Sequence, residues 1–180
     1  CIVEKGTEQG KRVQAGGGGK NFVFVLADAN FGNSVTGLVD AAFGCAGQRC
    51  MAASTAVTVG RAADQLLPPL AEAARAITLG ATDRDPAAKM GAVISPAHRD
   101  RVAGLISAGE REGAEVVVDG RKAKVSAHPG GFYLGPTIVD RVREEMTISR
   151  EEIFGPVLNV MRFEDLDEAM VQDISGHESS

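Results

Sequence analysis

Cys50 stands in the stretch Phe43-Gly44-Cys45-Ala46-Gly47-Gln48-Arg49-Cys50-Met51-Ala52, which has no helical or strand periodicity. A thiol on such a connection, carried between rigid elements, is where a nucleophile is often placed. A free cysteine is more usually a small buried hydrophobe, and Cys45, closing an apolar helical stripe, fits that role better than Cys50. A second stretch, Glu151-Glu152-Ile153-Phe154-Gly155-Pro156-Val157, sets a carboxylate and an aromatic ring ahead of a Gly-Pro turn and a strand. Both side chains could face a ligand there; a solvated acidic pair beside a core phenylalanine is the plainer alternative. A third, Gly16-Gly17-Gly18-Gly19-Lys20-Asn21, looks at first like a phosphate loop. It fails at both ends, with Gln14 where that pattern needs glycine and Asn21 where it needs Ser or Thr. A strand follows, so no helix N-terminus is offered to a phosphate. A tight turn where backbones approach closely is the reading that remains.

The other residue counts narrow the function classes. Twenty-four acidic against nineteen basic residues leave a net charge of −5, and there is no basic run. Nucleic acid and anionic membrane surfaces are therefore poor partners. The apolar fraction, 44%, is that of a folded chain rather than a disordered one. The longest apolar run, 22–27, is too short to cross a bilayer, and the opening residues 1–6 lack the apolar core of a signal peptide. Three cysteines cannot all pair within one chain, and unpaired thiols suit a reducing compartment, so a cytoplasmic location is expected. With no CxxC and with His98, His128 and His177 far apart, no metal site is expected.

The elements that must position these groups alternate. Arg12-Val13-Gln14 and Phe22–Leu26 read as strands around the glycine run. Val35, Leu38, Val39, Ala42 and Phe43 form one apolar helical stripe, with Asn33 or Ser34 as cap. Ser54–Val59 reads as a buried strand. Ala62–Ile77 is helical in pattern, but Pro68-Pro69 predicts a kink there or a restart at Pro69. Residues 80–89 read as a loop. Ser95-Pro96 starts a helix that runs to about Glu112. Glu115–Val118 and Val157–Phe163 read as strands, and 165–171 as the start of a last helix. This order predicts one α/β unit around a mostly parallel, twisted sheet.

Taken together, the chemical segments resemble the aldehyde dehydrogenase superfamily. Phe43, Gly47, Gln48 and Cys50 match its Phe-x-x-x-Gly-Gln-x-Cys motif; Glu152, Phe154, Gly155 and Pro156 match Glu-x-Phe-Gly-Pro. Met90-Gly91, Ile94-Ser95, Glu112-Gly113-Ala114 and Gly131-Phe132-Tyr133 with Gly135-Pro136-Thr137 follow in the family's order, and the likeness covers residues 6 to about 170. Residues 10–15, 41–44 and 46–52 look like the CoA-acylating branch that acts on methylmalonate semialdehyde. One chemical point agrees. Aligning on Lys20-Asn21 puts Gly16 where hydrolytic members carry the glutamate that activates the deacylating water. Water attack then lacks its general base, whereas about 3% of an ordinary thiol of pKa near 8.5 is already thiolate at neutral pH.

The resemblance implies the following chemistry. The Cys50 thiolate attacks an aldehyde, NAD takes up the electrons, and the resulting thioester passes its acyl group to coenzyme A, giving propionyl-CoA with loss of CO₂. Glu152 would hold the ribose of the nicotinamide half, with Phe154 beside it. The Cys50 N–H would serve the oxyanion hole, and Arg49 is a candidate partner for the substrate carboxylate. A full-length form would be a homo-oligomer acting on a small semialdehyde. The family's cofactor-binding half would lie upstream of Gly6, so residues 1–171 are expected to be part of a catalytic domain, 172–180 a polar tail, and the 180 residues alone inactive. The Pro68-Pro69 pair and the four-glycine run depart from the family pattern. A hydrolytic dehydrogenase and a non-enzymatic remnant domain are the competing expectations.

Overall fold

The segment Thr55–Val59 is buried at every residue, which suits a strand covered on both faces of a sheet. A computed structural model describes residues 2–171, and this segment is its second strand. The order is α1 (Ile2–Glu8), β1 (Phe22–Val25), α2 (Phe31–Phe43), β2 (Thr55–Val59), α3 (Ala62–Arg75), α4 (Pro96–Arg111), β3 (Glu115–Val118), β4 (Thr137–Asp140), α5 (Thr147–Arg150), β5 (Val157–Phe163) and α6 (Leu166–Val171). The strands form one sheet in the order β1-β2-β5-β4-β3. β1, β2, β5 and β4 run parallel, with Phe22 opposite Thr55, Thr55 opposite Asn159, and Thr137 opposite Val157. β3 closes the far edge antiparallel to β4. The expected α/β fold with a mostly parallel sheet is what forms.

The register has a direct consequence for the site. Because β1, β2 and β5 are parallel neighbours, the residues just before each of them lie along one edge of the sheet. Those residues are Lys20-Asn21, the Cys50–Ser54 segment and the Glu152–Pro156 turn. Ligands in open α/β sheets more often sit at the carboxyl ends of strands; here the candidate groups gather at the amino ends.

Packing locks that arrangement. Leu66, Leu67, Leu70, Ala71 and Ala74 form the buried stripe of α3, and α3 packs on α2 and β2. Asp140, 2% exposed on β4, is held bidentately by Arg162 of β5 at 3.0 and 2.7 Å, and Arg162 also reaches Asp64 of α3 at 2.8 Å. A buried carboxylate without such a partner would be strongly destabilising. No helix among the described residues is long and apolar enough to cross a membrane.

Several expectations change. Residues 12–14 are not a strand, and α1 precedes them. The glycine run is no tight turn: a Cβ built on Gly16, Gly17 or Gly19 would meet nothing within 4 Å. No second strand pairs there, so nothing pulls the backbones together. α2 is capped by Asn30, whose side chain accepts from the Asn33 N–H, so the helix starts earlier than the apolar stripe suggests. α3 passes through Pro68 and Pro69 unbroken. Both prolines, and the Asp64 and Gln65 residues whose carbonyls lose their helical partner, are on the exposed face. Water can satisfy those carbonyls while the leucine stripe holds the helix in place. The expected polar tail at 172–180 lies outside the described residues.

Candidate active site

The loop after α2 is built by backbone conformations that few residues adopt. Cys45 and Ala46 both sit in the left-handed region, with φ of 53° and 54°, and Gly47 follows at 68°. These turns swing the chain away from the helix axis and bring Gln48, Arg49 and Cys50 back over the sheet edge. Gln48 accepts the Ile94 N–H through Oε1 at 2.9 Å. Arg49 donates through Nη2 to the carbonyls of Asp40 and Ala41, at 2.7 and 3.0 Å, closing the end of α2. Asn21, just before β1, donates through Nδ2 to the Cys50 carbonyl at 2.8 Å and the Ala52 carbonyl at 2.9 Å. Cys50 is thus exposed but its backbone is held. Among the described residues nothing accepts from the Cys50 N–H, so that donor is free for a developing oxyanion.

The second loop meets the first. Glu152, Phe154 and Gly155 line the same cleft as Cys50, Asn21 and Arg49. Phe154 adopts φ 53° and is 40% exposed, while Ile153 turns inward and is 2% exposed. The turn is held from α4, where Arg101 donates to the carbonyls of Glu152 (2.8 Å) and Ile153 (3.1 Å) and His98 Nε2 bonds the Phe154 carbonyl at 2.7 Å. At the junction, a Cβ on Gly47 would overlap the Gly155 carbonyl, so the two loops touch backbone to backbone. Glu152 in turn approaches the glycine run: its Oε2 lies 3.5 Å from where a Gly18 Cβ would stand.

Lys20 joins this junction from beneath. Its Nζ donates to the Ile148 carbonyl at 2.7 Å and the Glu151 carbonyl at 2.8 Å. The buried Asn159 side chain donates to that same Ile148 carbonyl at 3.0 Å. α5 is fixed in turn by Glu112, whose carboxylate takes the Thr147 N–H and hydroxyl, which holds it below the usual carboxylate range. Burial pushes the Lys20 ammonium down to about 8, against the pull of Glu151 and Glu152. Below about pH 8 the lysine is charged both folded and unfolded and adds no slope. Between about 8 and 10.5 the unfolded chain binds the proton more tightly, so rising pH favours folding through this group. The stability difference between wild type and Lys20→Met, read from urea midpoints, should therefore be flat below that window and shift toward wild type across it. A difference flat throughout would show that the amine titrates as in water.

Cys50, Glu152, Phe154 and Arg49, each singled out from the sequence, are brought to one cleft. Cys45 is not there, and it is exposed rather than the buried small hydrophobe expected, because its left-handed backbone turns it off the helix stripe. Phe154 is likewise no core phenylalanine; Ile153 fills that place. Lys20 and Asn21 served in the sequence only to set an alignment, yet they tie both loops together. From the sequence His98 and Arg101 had no place in this site either; His98 counted there only in excluding a metal. Their signal was two polar residues at i and i+3 in line with the apolar face of α4 that carries Val102 and Ile106. Among the described residues no group of three His, Cys, Asp or Glu side chains is placed to hold a metal ion.

Comparison with known proteins places the chain in a family. A sequence model described as the aldehyde dehydrogenase family matches residues 1–173. The rat mitochondrial methylmalonate-semialdehyde/malonate-semialdehyde dehydrogenase, named as acylating, is 50% identical over 169 residues, covering 94% of this chain and 31% of that protein. A malonate-semialdehyde dehydrogenase of Pseudomonas aeruginosa is 47% identical over 178 residues, covering 98% of this chain and 35% of the relative. Among solved structures, methylmalonate-semialdehyde dehydrogenase from Oceanimonas doudoroffii superposes with a TM-score of 0.87 at 44% identity, over 94% of this chain and 35% of that one. Betaine aldehyde dehydrogenase from Staphylococcus aureus, solved in complex with NAD+, gives 0.85 at 29% identity over 94% and 34%. The chain spans about a third of the length of the curated relatives it matches. With the family model matching nearly its whole length, and with the two motif loops meeting in one cleft, the chain belongs to the aldehyde dehydrogenase family.

Proposed function

We propose that the chain is the nucleophile-bearing portion, over residues 1–171, of an NAD-dependent, CoA-acylating semialdehyde dehydrogenase whose substrate is methylmalonate semialdehyde. The observation that carries this is Cys50 itself: exposed, backbone-anchored by Asn21, with its own N–H unengaged, in one cleft with Glu152 and Phe154. The Cys50 sulfur attacks the aldehyde carbonyl, and the Cys50 N–H donates to the oxygen as charge develops there. The exposed Phe154 ring and the Glu152 carboxylate fit the nicotinamide ribose, the first by stacking area and the second by accepting from hydroxyls. NAD, when bound, supplies the two-electron acceptor. Arg49 lines the cleft with one guanidinium edge free of the α2 carbonyls, which leaves it a contact for the substrate carboxylate. Homo-oligomer assembly and a reducing, cytoplasmic setting belong to the same reading; Cys45 and Cys50 are both unpaired.

Gly16 supports transfer to CoA rather than water, since no carboxylate stands at that position to activate water. The names of the rat and mouse relatives as acylating support it. In a form of the protein as long as its relatives, methylmalonate semialdehyde, NAD+ and CoA should yield propionyl-CoA, CO₂ and NADH in step. Leaving out CoA should stop NADH after about one equivalent per Cys50, as expected for a stalled acyl-enzyme. Continued turnover to a free acid without CoA would establish the hydrolytic alternative. Arg101→Ala, which frees the carbonyls of Glu152 and Ile153, should raise KM for NAD about tenfold, equivalent to about 1.4 kcal/mol, with kcat changed far less. Equal losses in both constants would mean that the anchor serves the chemistry and not cofactor placement.

A further inference from the structure

A second cleft, of about 610 Å³, opens between α4 and the loop over residues 121–131. Arg99, Asp100 and Ala103 form its α4 wall. At 100° per residue these fall on the side of α4 opposite His98 and Arg101, which hold the active-site turn. The two clefts therefore lie on different faces of the same helix.

Its charges divide into two groups. Arg99 is paired with Asp100 at 2.8 Å, and Arg121 with Asp119 at 2.6 Å and Glu110 at 2.9 Å. Arg99 is neutralised by its one partner, while Arg121, held by two carboxylates, leaves its cluster net negative. Lys122 and Lys124 are exposed at the mouth; Asp119 attracts Lys122, and neither ammonium is within salt-bridge distance of a carboxylate among the described residues. His128 also lines the cleft. In a chain of net charge −5, Lys122 and Lys124 set two exposed ammonium groups on one lip of the cleft. The other wall is apolar and partly aromatic. Tyr133, 8% exposed, brings its Cε2 edge against Gly131, where any Cβ would overlap it.

We propose that this cleft binds a nucleotide-sized organic phosphate, with Lys122 and Lys124 taking the phosphates and the Tyr133 wall taking the flat apolar part. The volume decides against a bare phosphate ion: it falls in the range of roughly 300–1,000 Å³ typical of sites for organic ligands. The division into a cationic lip and an apolar wall matches a phosphorylated nucleoside better than a carboxylate metabolite. Two sources share this chemistry, the nucleotide end of CoA and a free nucleotide. The inference stands independently of the reaction proposed for Cys50.

Calorimetric titration of the 180-residue chain with adenosine 3′,5′-bisphosphate, ADP and inorganic phosphate tests it. At least one of the two nucleotides should bind at least about tenfold more tightly than phosphate, and Lys122→Gln/Lys124→Gln should weaken that binding by about tenfold or more. Preference for the bisphosphate over ADP points to CoA; equal binding points to a free nucleotide. Both preferences support the site. Equal, weak binding of all three, or a double variant that binds as the wild type does, overturns it. Should the double variant lose its circular-dichroism signal, the single substitutions Lys122→Gln and Lys124→Gln, each on an exposed loop, carry the same comparison.

Discussion

Gly47→Ala is expected to lower the melting temperature by about 6–12 °C and to separate the two loops of the active site. Two independent effects add. At φ 68° a side chain enters a region that costs an L-residue about 1–2 kcal/mol. The new Cβ also meets the Gly155 carbonyl, a backbone group that cannot rotate away. Overpacking of that kind costs about 1–3 kcal/mol. A combined loss of about 3 kcal/mol corresponds to the stated shift for a chain of this size. Thermal unfolding followed by circular dichroism measures it. Gly155 is hemmed in on its other side by the Val102 side chain, so relief by moving the second loop would disturb α4. A melting temperature within about 2 °C of wild type would show that the loops yield easily. The contact would then not be what sets the distance between Cys50 and Glu152.

Cys50→Ala is expected to remove dehydrogenase turnover by at least about a thousandfold in a form of the protein as long as its relatives. The reasoning is chemical before it is geometric: without a sulfur nucleophile no thiohemiacetal or thioester can form, and nothing else in the cleft supplies one. Asn21, Glu152 and Arg49 can bind or orient, but none is an activated nucleophile in this setting. Cys45→Ala serves as the companion variant. Cys45 does not line the cleft, and alanine tolerates its backbone as well as cysteine does, since neighbouring Ala46 already has φ 54°. NADH formation should then fall only in the Cys50 variant. Comparable losses in both would move the reactive thiol, or the whole loop, away from the place assigned to it. The same pair of variants in the 180-residue chain can be followed by iodoacetamide, with Cys50 expected to react first.

Much of this arrangement was legible along the chain, for reasons that differ by element. β2 and β5 announced themselves as short runs rich in apolar and β-branched residues, as strands covered on both faces tend to be, even though Thr55, Thr58, Asn159 and Arg162 interrupt them. α4 did so because serine and proline mark its first turn and a glycine follows its end. The proline pair in α3 misled, because the sequence reports the lost N–H donors but not that the freed carbonyls face water. The four-glycine run misled in the opposite direction. Glycine permits close approach without requiring it, and no partner strand lies near enough to make use of the permission. Cys45 looked like the end of a helix stripe because nothing in its type shows that the backbone has turned left-handed.

By itself the sequence determined the chemistry on offer: thiols in a glycine-containing loop, a pair of carboxylates and a ring before a Gly-Pro turn, and no carboxylate at Gly16. Residue type and local spacing are enough for that, because reactivity belongs to the side chain. Only the tertiary structure decided that these groups share a cleft. Parallel pairing of β1, β2 and β5 sets three segments from distant parts of the chain on one sheet edge, and register is a property of paired strands that no single segment contains. It also decided which residues hold the groups still. Lys20, Asn21, His98 and Arg101 all act through main-chain carbonyls. Every residue has such a carbonyl, so side-chain type gives no sign of which ones will be grasped until the fold brings donor and acceptor together.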